Sequence, residues 1–344
     1  MILHIRVMFQ LWIRAIRRDR EFFDTGRCLN QDMPMIYAEY RFSCMFETRA
    51  LLSRHKGSAL RGLFGYCLKK FSCSQRENEC DRCLINTTCV YFQIFESPRL
   101  TYRTRAGNNV KPHPFVLVPP DEREKREYSA GESFHMTFKL FGSATEWFPY
   151  ILFCVDQMGR KGLGARLRQG WGRFRLDRVT CGGREIYSHR TGLRPGYKEC
   201  WKELDVQKIQ PVSSDSIQVL FLTPLRLKSG NRITDSLDFQ TLIRACCRRI
   251  ATLEEAFGSG EPDLDYRSLI RLSADVRTVE SDIHWECVYR YSNRQMTEMN
   301  IGGVVGKVRY SGNMAQFWPL LKYCEVVHIG KQTAFGNGRI EVRP

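Results

Sequence analysis

No stretch of this 344-residue sequence approaches the run of ~20 apolar residues needed to cross a bilayer. Ile2 to Phe9 is mostly apolar but holds His4 and Arg6, and Arg14, Arg17, Arg18 and Arg20 follow without a small-residue cleavage site, which argues against a secretory signal and for a cytoplasmic protein. Gly57 to Gly65 lacks the Gly-Lys-Ser/Thr ending of a nucleotide P-loop, so ATP use is not expected. Acidic residues are outnumbered: 53 Lys plus Arg against 37 Asp plus Glu leave a net charge of +16 and a pI near 9.4. Glu254-Glu255 and Asp263/Asp265 read as solvated surface, so no paired-carboxylate site stands out. Such a charge favours nucleic acid or an anionic surface as partner over a small neutral ligand, the alternative being a basic surface kept for solubility.

Hydrophobic residues make up 43% of the chain, as in a folded protein with ordinary cores. Regular structure begins near Met35, so residues 1–34 are expected to be a loosely held extension, with Met33 or Met35 an alternative start. Ala38, Tyr40, Phe42, Cys44 and Phe46 alternate with polar residues as in a half-buried strand. Leu60, Leu63, Phe64, Cys67, Leu68 and Phe71 recur at helical spacing. A cysteine-bearing insertion over 72–92 follows, then the extended Lys111 to Pro120, then a strand holding Phe134, Met136, Phe138 and Leu140. A buried helix is expected from Trp147, with Pro149 tolerated in its first turn. The second half repeats this order, with a strand at Ile217 to Leu222, a helix through Phe239 to Leu253, extended segments at His284–Tyr291 and Gly306–Tyr310, and a helix carrying Phe317-Trp318-Pro319. Each half reads β-α-β-β-α-β. The expected fold is therefore α+β, two tandem ferredoxin-like domains over 35–187 and 216–344, joined by a linker at 188–215.

The two halves also end alike. Gly170-Trp171-Gly172-Arg173 is echoed by Gly336-Asn337-Gly338-Arg339, each running into an alternating strand. Seven basic side chains and one acidic occupy residues 160–178. Without Cβ atoms, such loops bring backbone N–H groups close to phosphates, and Trp171 offers a face for a base. A tight turn without a ligand is the alternative. RNA is the best-fitting polyanion.

Five ordered blocks carry a resemblance: Gly57 to Gly65, Pro114 to Leu117, Phe221 to Lys228, Arg290 to Gln295, and His328 to Gly338. Over residues 36 to 343 the chain resembles the CRISPR precursor-RNA-processing endoribonucleases of the RAMP superfamily. The resemblance implies two ferredoxin-like domains, recognition of the CRISPR repeat in precursor crRNA, and metal-independent cleavage leaving a 2′,3′-cyclic phosphate and a 5′-hydroxyl. It points to Arg166, Arg168, Trp171 and Arg173 in the first loop, and to Gly330, Lys331, Gln332, Thr333, Gly336, Gly338 and Arg339 in the second, as RNA-binding residues. No cofactor is expected for catalysis. The partners expected are the RNA and other effector subunits, with no membrane, and the chain is expected to be a monomer or homodimer.

Cleavage without a metal needs a proton acceptor near the 2′-hydroxyl and a donor near the 5′-oxygen, roles suited to histidine. Of the seven histidines, His4 lies in the extension, His113 between prolines, His135 on a polar strand face and His189 in the linker. His55, His284 and His328 remain. His55 and His328 are the catalytic candidates, with Tyr66 and Lys69 as orienting or stabilising groups; a solvated loop residue, a cap and plain packing are the alternatives for His55, His328 and Tyr66. The family often places its histidine just after the first helix, where this chain has cysteines instead. Cys73, Cys80, Cys83 and Cys89 include one C-x-x-C pair and suit a structural Zn²⁺, or else free or redox-active thiols. The competing readings are a non-cleaving RAMP subunit that holds guide RNA, and a zinc-stabilised DNA binder.

Overall fold

Glu39 and Arg41 are exposed while Ala38, Tyr40, Phe42, Cys44 and Phe46 are buried, so the alternation in the sequence becomes the pleat of β1, Met35–Phe46. The protein is described here by a computed structural model covering residues 34–73, 79–105, 107–122, 124–229, 232–292 and 296–344. The expected extension, up to residue 33, and His4 with it, lies outside the described residues, as do Asn293 to Gln295.

The first domain continues with helix α1, Lys56–Ser72, strands β2, Phe115–Val118, and β3, Ser133–Phe141, helix α2, Phe148–Lys161, and strand β4, Phe174–Cys181. Its sheet runs β4-β1-β3-β2 with every neighbour antiparallel. The second domain comprises, in chain order, β8, Ser216–Leu225, α3, Phe239–Phe257, β9, Arg277–Glu286, β10, Gly303–Ser311, α4, Trp318–Val327, and β11, Ile340–Arg343. Its sheet runs β11-β8-β10-β9. Taking each domain's strands in order, both sheets read fourth-first-third-second, the ferredoxin-like arrangement. Pro149 and Pro319 both sit in the first turn of their helices, where the missing N–H leaves no bond unmade.

Between the domains the chain does more than connect. Strands β5, Arg184–Ser188, and β6, Gly192–Leu193, extend the first sheet beyond β4, while β7, Lys202–Leu204, pairs with the start of β1. The 188–215 stretch thus contributes two short strands and the end of a third to the first domain's sheet. A disulfide joins Cys181 to Cys200 there, so this pair is not reduced as a cytoplasmic setting would predict.

The domains share a packed seam. All four residues of β2 are buried; Phe115 and Leu117 join the first core while Val116 and Val118 join the second. That is why this strand reads as an unbroken apolar run. Two buried cations cap the end of α4, Lys139 from across the seam and Arg249 from within the second domain. Lys139 of β3 donates to the Glu325 and Val326 carbonyls at 3.3 and 3.1 Å, and Arg249 of α3 donates to those of Val327 and His328. Positive charge at a helix C-terminus is stabilising, and these donors satisfy carbonyls the helix itself leaves unpaired.

Candidate functional site

The sequence echo is an echo in backbone conformation. α2 ends at Gly162 with φ 91°; Arg166, at φ 57°, then precedes the turn Leu167–Gln169, which closes on Gly170 and Gly172 at φ 80° and 77°. α4 ends at His328 with φ 55°; Gln332, at φ 64°, precedes the turn Thr333–Phe335, which closes on Gly336 and Gly338 at φ 86° and 70°. The hydrogen bonds correspond as well. Gly172 N–H donates to Arg49 O and Gly338 N–H to Pro224 O, while Leu163 and Ile329 donate to the carbonyls of Gly172 and Gly338. Arg173 N–H donates to the Thr48 hydroxyl and Arg339 N–H to that of Thr223.

These bonds change what the glycines do. The N–H groups of Lys331, Phe335, Gly336, Gly338 and Arg339 already donate within the protein, so they do not form the phosphate cradle expected of them. Left-handed backbone is what the glycines supply. The second loop is also buried from Thr333 to Gly338 and wedged against the first domain. A Cβ on Gly336 would stand 2.5 Å from Pro119 Cδ and 2.8 Å from Leu117 O, and one on Gly57 would overlap Phe335 O. The Phe335 ring lies 4.9 Å below the guanidinium of Arg61 and 4.8 Å below that of Arg290. The first loop took the opposite course. Arg166, Arg168 and Arg173 are exposed, and Trp171 is half-buried under the guanidiniums of Arg49 and Arg166, 4.9 and 4.8 Å from its ring centre. A base stacking on Trp171 would compete with those cations.

Where the second loop meets the first domain, a cleft of about 280 Å³ opens, lined among others by Arg54, His55, Lys56, Asp121, Thr223, Asn337 and Arg339. His55 occupies the N-cap position of α1, its Nε2 3.6 Å from Glu286 Oε1 at the end of β9. The cations beside it are held by one acidic segment: Arg54 pairs with Glu124 at 2.7 Å, Lys56 donates to the Glu122 carbonyl at 2.6 Å, and Arg339 pairs with Asp121 at 2.7 Å. Burial lowers the Lys56 pKa from its ordinary value. Such a cleft offers a titratable imidazole beside charges suited to a phosphodiester.

The other sequence candidates lie elsewhere. His328 is fully buried, its Nδ1 3.2 Å from Asn337 O; burial, then Lys139, drives its pKa well below the usual imidazole value. It caps α4 and stays neutral, which does not suit proton exchange with a substrate. Tyr66 is exposed midway along α1, under Lys161, and Lys69 lies over the Tyr91 ring. At 1.5 Å per residue these are roughly 15 and 20 Å along the helix from Lys56, so the structure does not bring them to His55. Lys331 is exposed, Gln332 and Gly330 are half-buried. His113 is driven to a pKa of about 3 by burial and Arg61, His135 meets Ser43, and His284 is exposed on β9. Arg54, Lys56, Asp121 and Glu286 were not among the sequence candidates; only the charges flanking His55 hinted at the first two.

Cys73 follows α1, Cys80 and Cys83 bracket a short turn, and Cys89 precedes the next helix, all four half-buried. Among the described residues no three His, Cys, Asp or Glu side chains are gathered as a metal site would need, these cysteines included. Among them, too, no helix is long and apolar enough to cross a membrane.

Two family models match. Residues 33–197 match AF_1859_N, an N-terminal domain, and residues 219–340 match the CRISPR-associated endoribonuclease Cas6. Among solved structures, a Cas6 product complex aligns with a TM-score of 0.53 at 14% identity, over 89% of this chain and 100% of the other. A Cas6 from Thermus thermophilus aligns at 0.50 and 13% identity, over 90% and 99%. A partial Cas6-RT-Cas1–Cas2 complex aligns at 0.52 and 12% identity, over 91% of this chain and 46% of that one. At such identities the likeness is one of fold. No curated protein matches the chain in sequence.

Proposed function

We propose that this chain, whose residues 219–340 match the Cas6 family model and whose fold is shared with Cas6 structures, binds CRISPR repeat RNA and cuts precursor crRNA into guide units. The observation that carries this reading is the interdomain cleft, where His55 stands among Arg54, Lys56 and Arg339. His55 takes the proton from the 2′-hydroxyl; the 2′-oxygen bonds to phosphorus as the P–O5′ bond breaks, and the departing 5′-oxygen takes up a proton from water. The products are a 2′,3′-cyclic phosphate and a 5′-hydroxyl. The neighbouring cations favour the charge that builds on the phosphate oxygens, and the scheme calls on no metal ion. The first loop, with Arg166, Arg168, Trp171 and Arg173, and the exposed Lys331 at the second grip the RNA backbone.

The test is incubation of purified protein with a repeat-stem RNA in EDTA, alongside His55→Ala. Product from the parent and a loss of at least about 100-fold in His55→Ala is the expected result. Equal cleavage by both removes His55 from the chemistry. Binding without any product supports the second reading, a non-cleaving subunit that holds guide RNA within an effector complex. That reading draws on the distance of Tyr66 and Lys69 from His55 and on the acidic segment engaging the cleft cations. A structural Zn²⁺ on Cys73, Cys80, Cys83 and Cys89 remains a proposal drawn from sequence spacing.

A further inference from the structure

The geometry points to Glu286 as a positioning residue: a carboxylate from the second domain that orients His55 of the first for proton transfer. The inference rests on the reading of His55 as the cleaving base. Glu286 is the last residue of β9, a strand exposed over most of its length but half-buried at Trp285 and Glu286, where it enters the seam. Its side chain is 12% exposed and that of His55 25%. Its backbone is held in register opposite Gly303, and a Cβ on Gly302 would overlap the Glu286 carbonyl, so that glycine lets the strand end approach. The carboxylate therefore comes to the imidazole from a fixed support, not from a free loop.

The consequence is chemical. An Nε2–H directed at Glu286 leaves Nδ1 as the imidazole's acceptor. The 3.6 Å separation is that of an ion pair, and contacts of this kind shorten when substrate fills the site. When Nδ1 takes the 2′-hydroxyl proton, the positive charge formed on the ring faces the carboxylate, as in hydrolase triads where an acid orients the base without taking the proton itself. The other charges lining the cleft are Arg54 and Lys56 beside His55, Asp121 from the segment after β2, and Arg339 from the second loop. Arg54 and Arg339 are paired with Glu124 and Asp121, and Lys56 donates to the Glu122 carbonyl, so the neighbouring charges are engaged with one another while Glu286 faces the imidazole.

Glu286→Gln separates positioning from packing, because it keeps the shape and removes the charge. In single-turnover cleavage of a repeat RNA, the rate should fall about 10- to 100-fold, and the acid-side midpoint of the pH–rate curve should move to lower pH. Affinity for a 2′-deoxy repeat that cannot be cut should stay within about twofold, and Glu286→Asp should recover part of the rate. An NMR titration of the His55 ring in the intact parent and in Glu286→Gln should show the same downward move without relying on turnover. An unmoved His55 titration in Glu286→Gln overturns the inference, as does a loss of RNA affinity or thermal stability with an unmoved pH midpoint. His55→Ala run in parallel separates the two claims. If it cuts normally, the reading of the site falls; if it fails to cut while Glu286→Gln cuts at the parent rate and midpoint, only the role of Glu286 falls.

Discussion

Three glycines on α1 should respond to alanine with opposite signs. Gly62 is exposed and its added Cβ would meet nothing within 4 Å, so Gly62→Ala gains helix propensity alone, about 0.5–1 kcal/mol. Gly57 lies in the first turn of the same helix, and its Cβ would overlap the Phe335 carbonyl oxygen, backbone that cannot rotate away. Gly65 would place its Cβ in overlap with the Phe95 ring at Cζ, with both Cε carbons at 2.6 and 2.7 Å, but that contact is a side chain that can tilt. Overpacking of this kind typically costs 1–3 kcal/mol. After the propensity gain, Gly57→Ala should lose about 1–2 kcal/mol and Gly65→Ala somewhat less. Thermal unfolding, at roughly 2 °C per kcal/mol for a unit of this size, should therefore rank Gly62→Ala above the parent and Gly57→Ala lowest. Gly57→Ala should also lose cleavage, because the displaced Phe335 turn carries one wall of the cleft. A Gly57→Ala protein as stable as Gly62→Ala would refute the claim that the second loop is wedged on α1.

Glu254 is buried, accepts from Tyr323 Oη at 2.7 Å, and has its pKa pushed up to about 7 by burial, from 4.5. The fold prefers its protonated form, so its contribution is present below pH 4.5 and is lost as pH rises through about 7, up to about 3 kcal/mol. Glu254→Gln should flatten that part of the Tm–pH curve, and a parallel curve would count against it. Arg168→Ala and Arg173→Ala should each weaken RNA binding and lower the slope of log affinity against log salt by up to about 1; an unaltered slope in both excludes the first loop from the interface. Elemental analysis of purified protein tests the zinc drawn from sequence spacing: about one equivalent, lost on Cys80→Ser/Cys83→Ser, supports it, and less than about half an equivalent, in line with the ungathered cysteines, speaks against it.

Much of the fold was legible where burial imposes a period. Tyr40, Phe42 and Cys44 on β1, and Leu242, Ile243 and Cys246 on α3, each face a core, so their spacing betrays the element. β9 was harder to read. Its first six residues are exposed, so Arg277 to Asp282 show no alternation, and only its end near His284 read as extended. The repeated loops were legible because left-handed backbone selects glycine at the same places twice. Which loop is buried was not, since docking depends on Gly57 and Pro119 from distant parts of the chain. Glu286 was illegible for the same reason: its neighbour His55 lies far back in the sequence, and nothing local marks the pair.

Lys139 reaches from one domain into the last turn of a helix in the other. Pulling the halves apart would strip the Glu325 and Val326 carbonyls of their donor and open to water the apolar seam that Val116 and Val118 share with the second core. The two halves should therefore melt together, in one calorimetric peak, and a cleft assembled at such a joint exists only while both are folded.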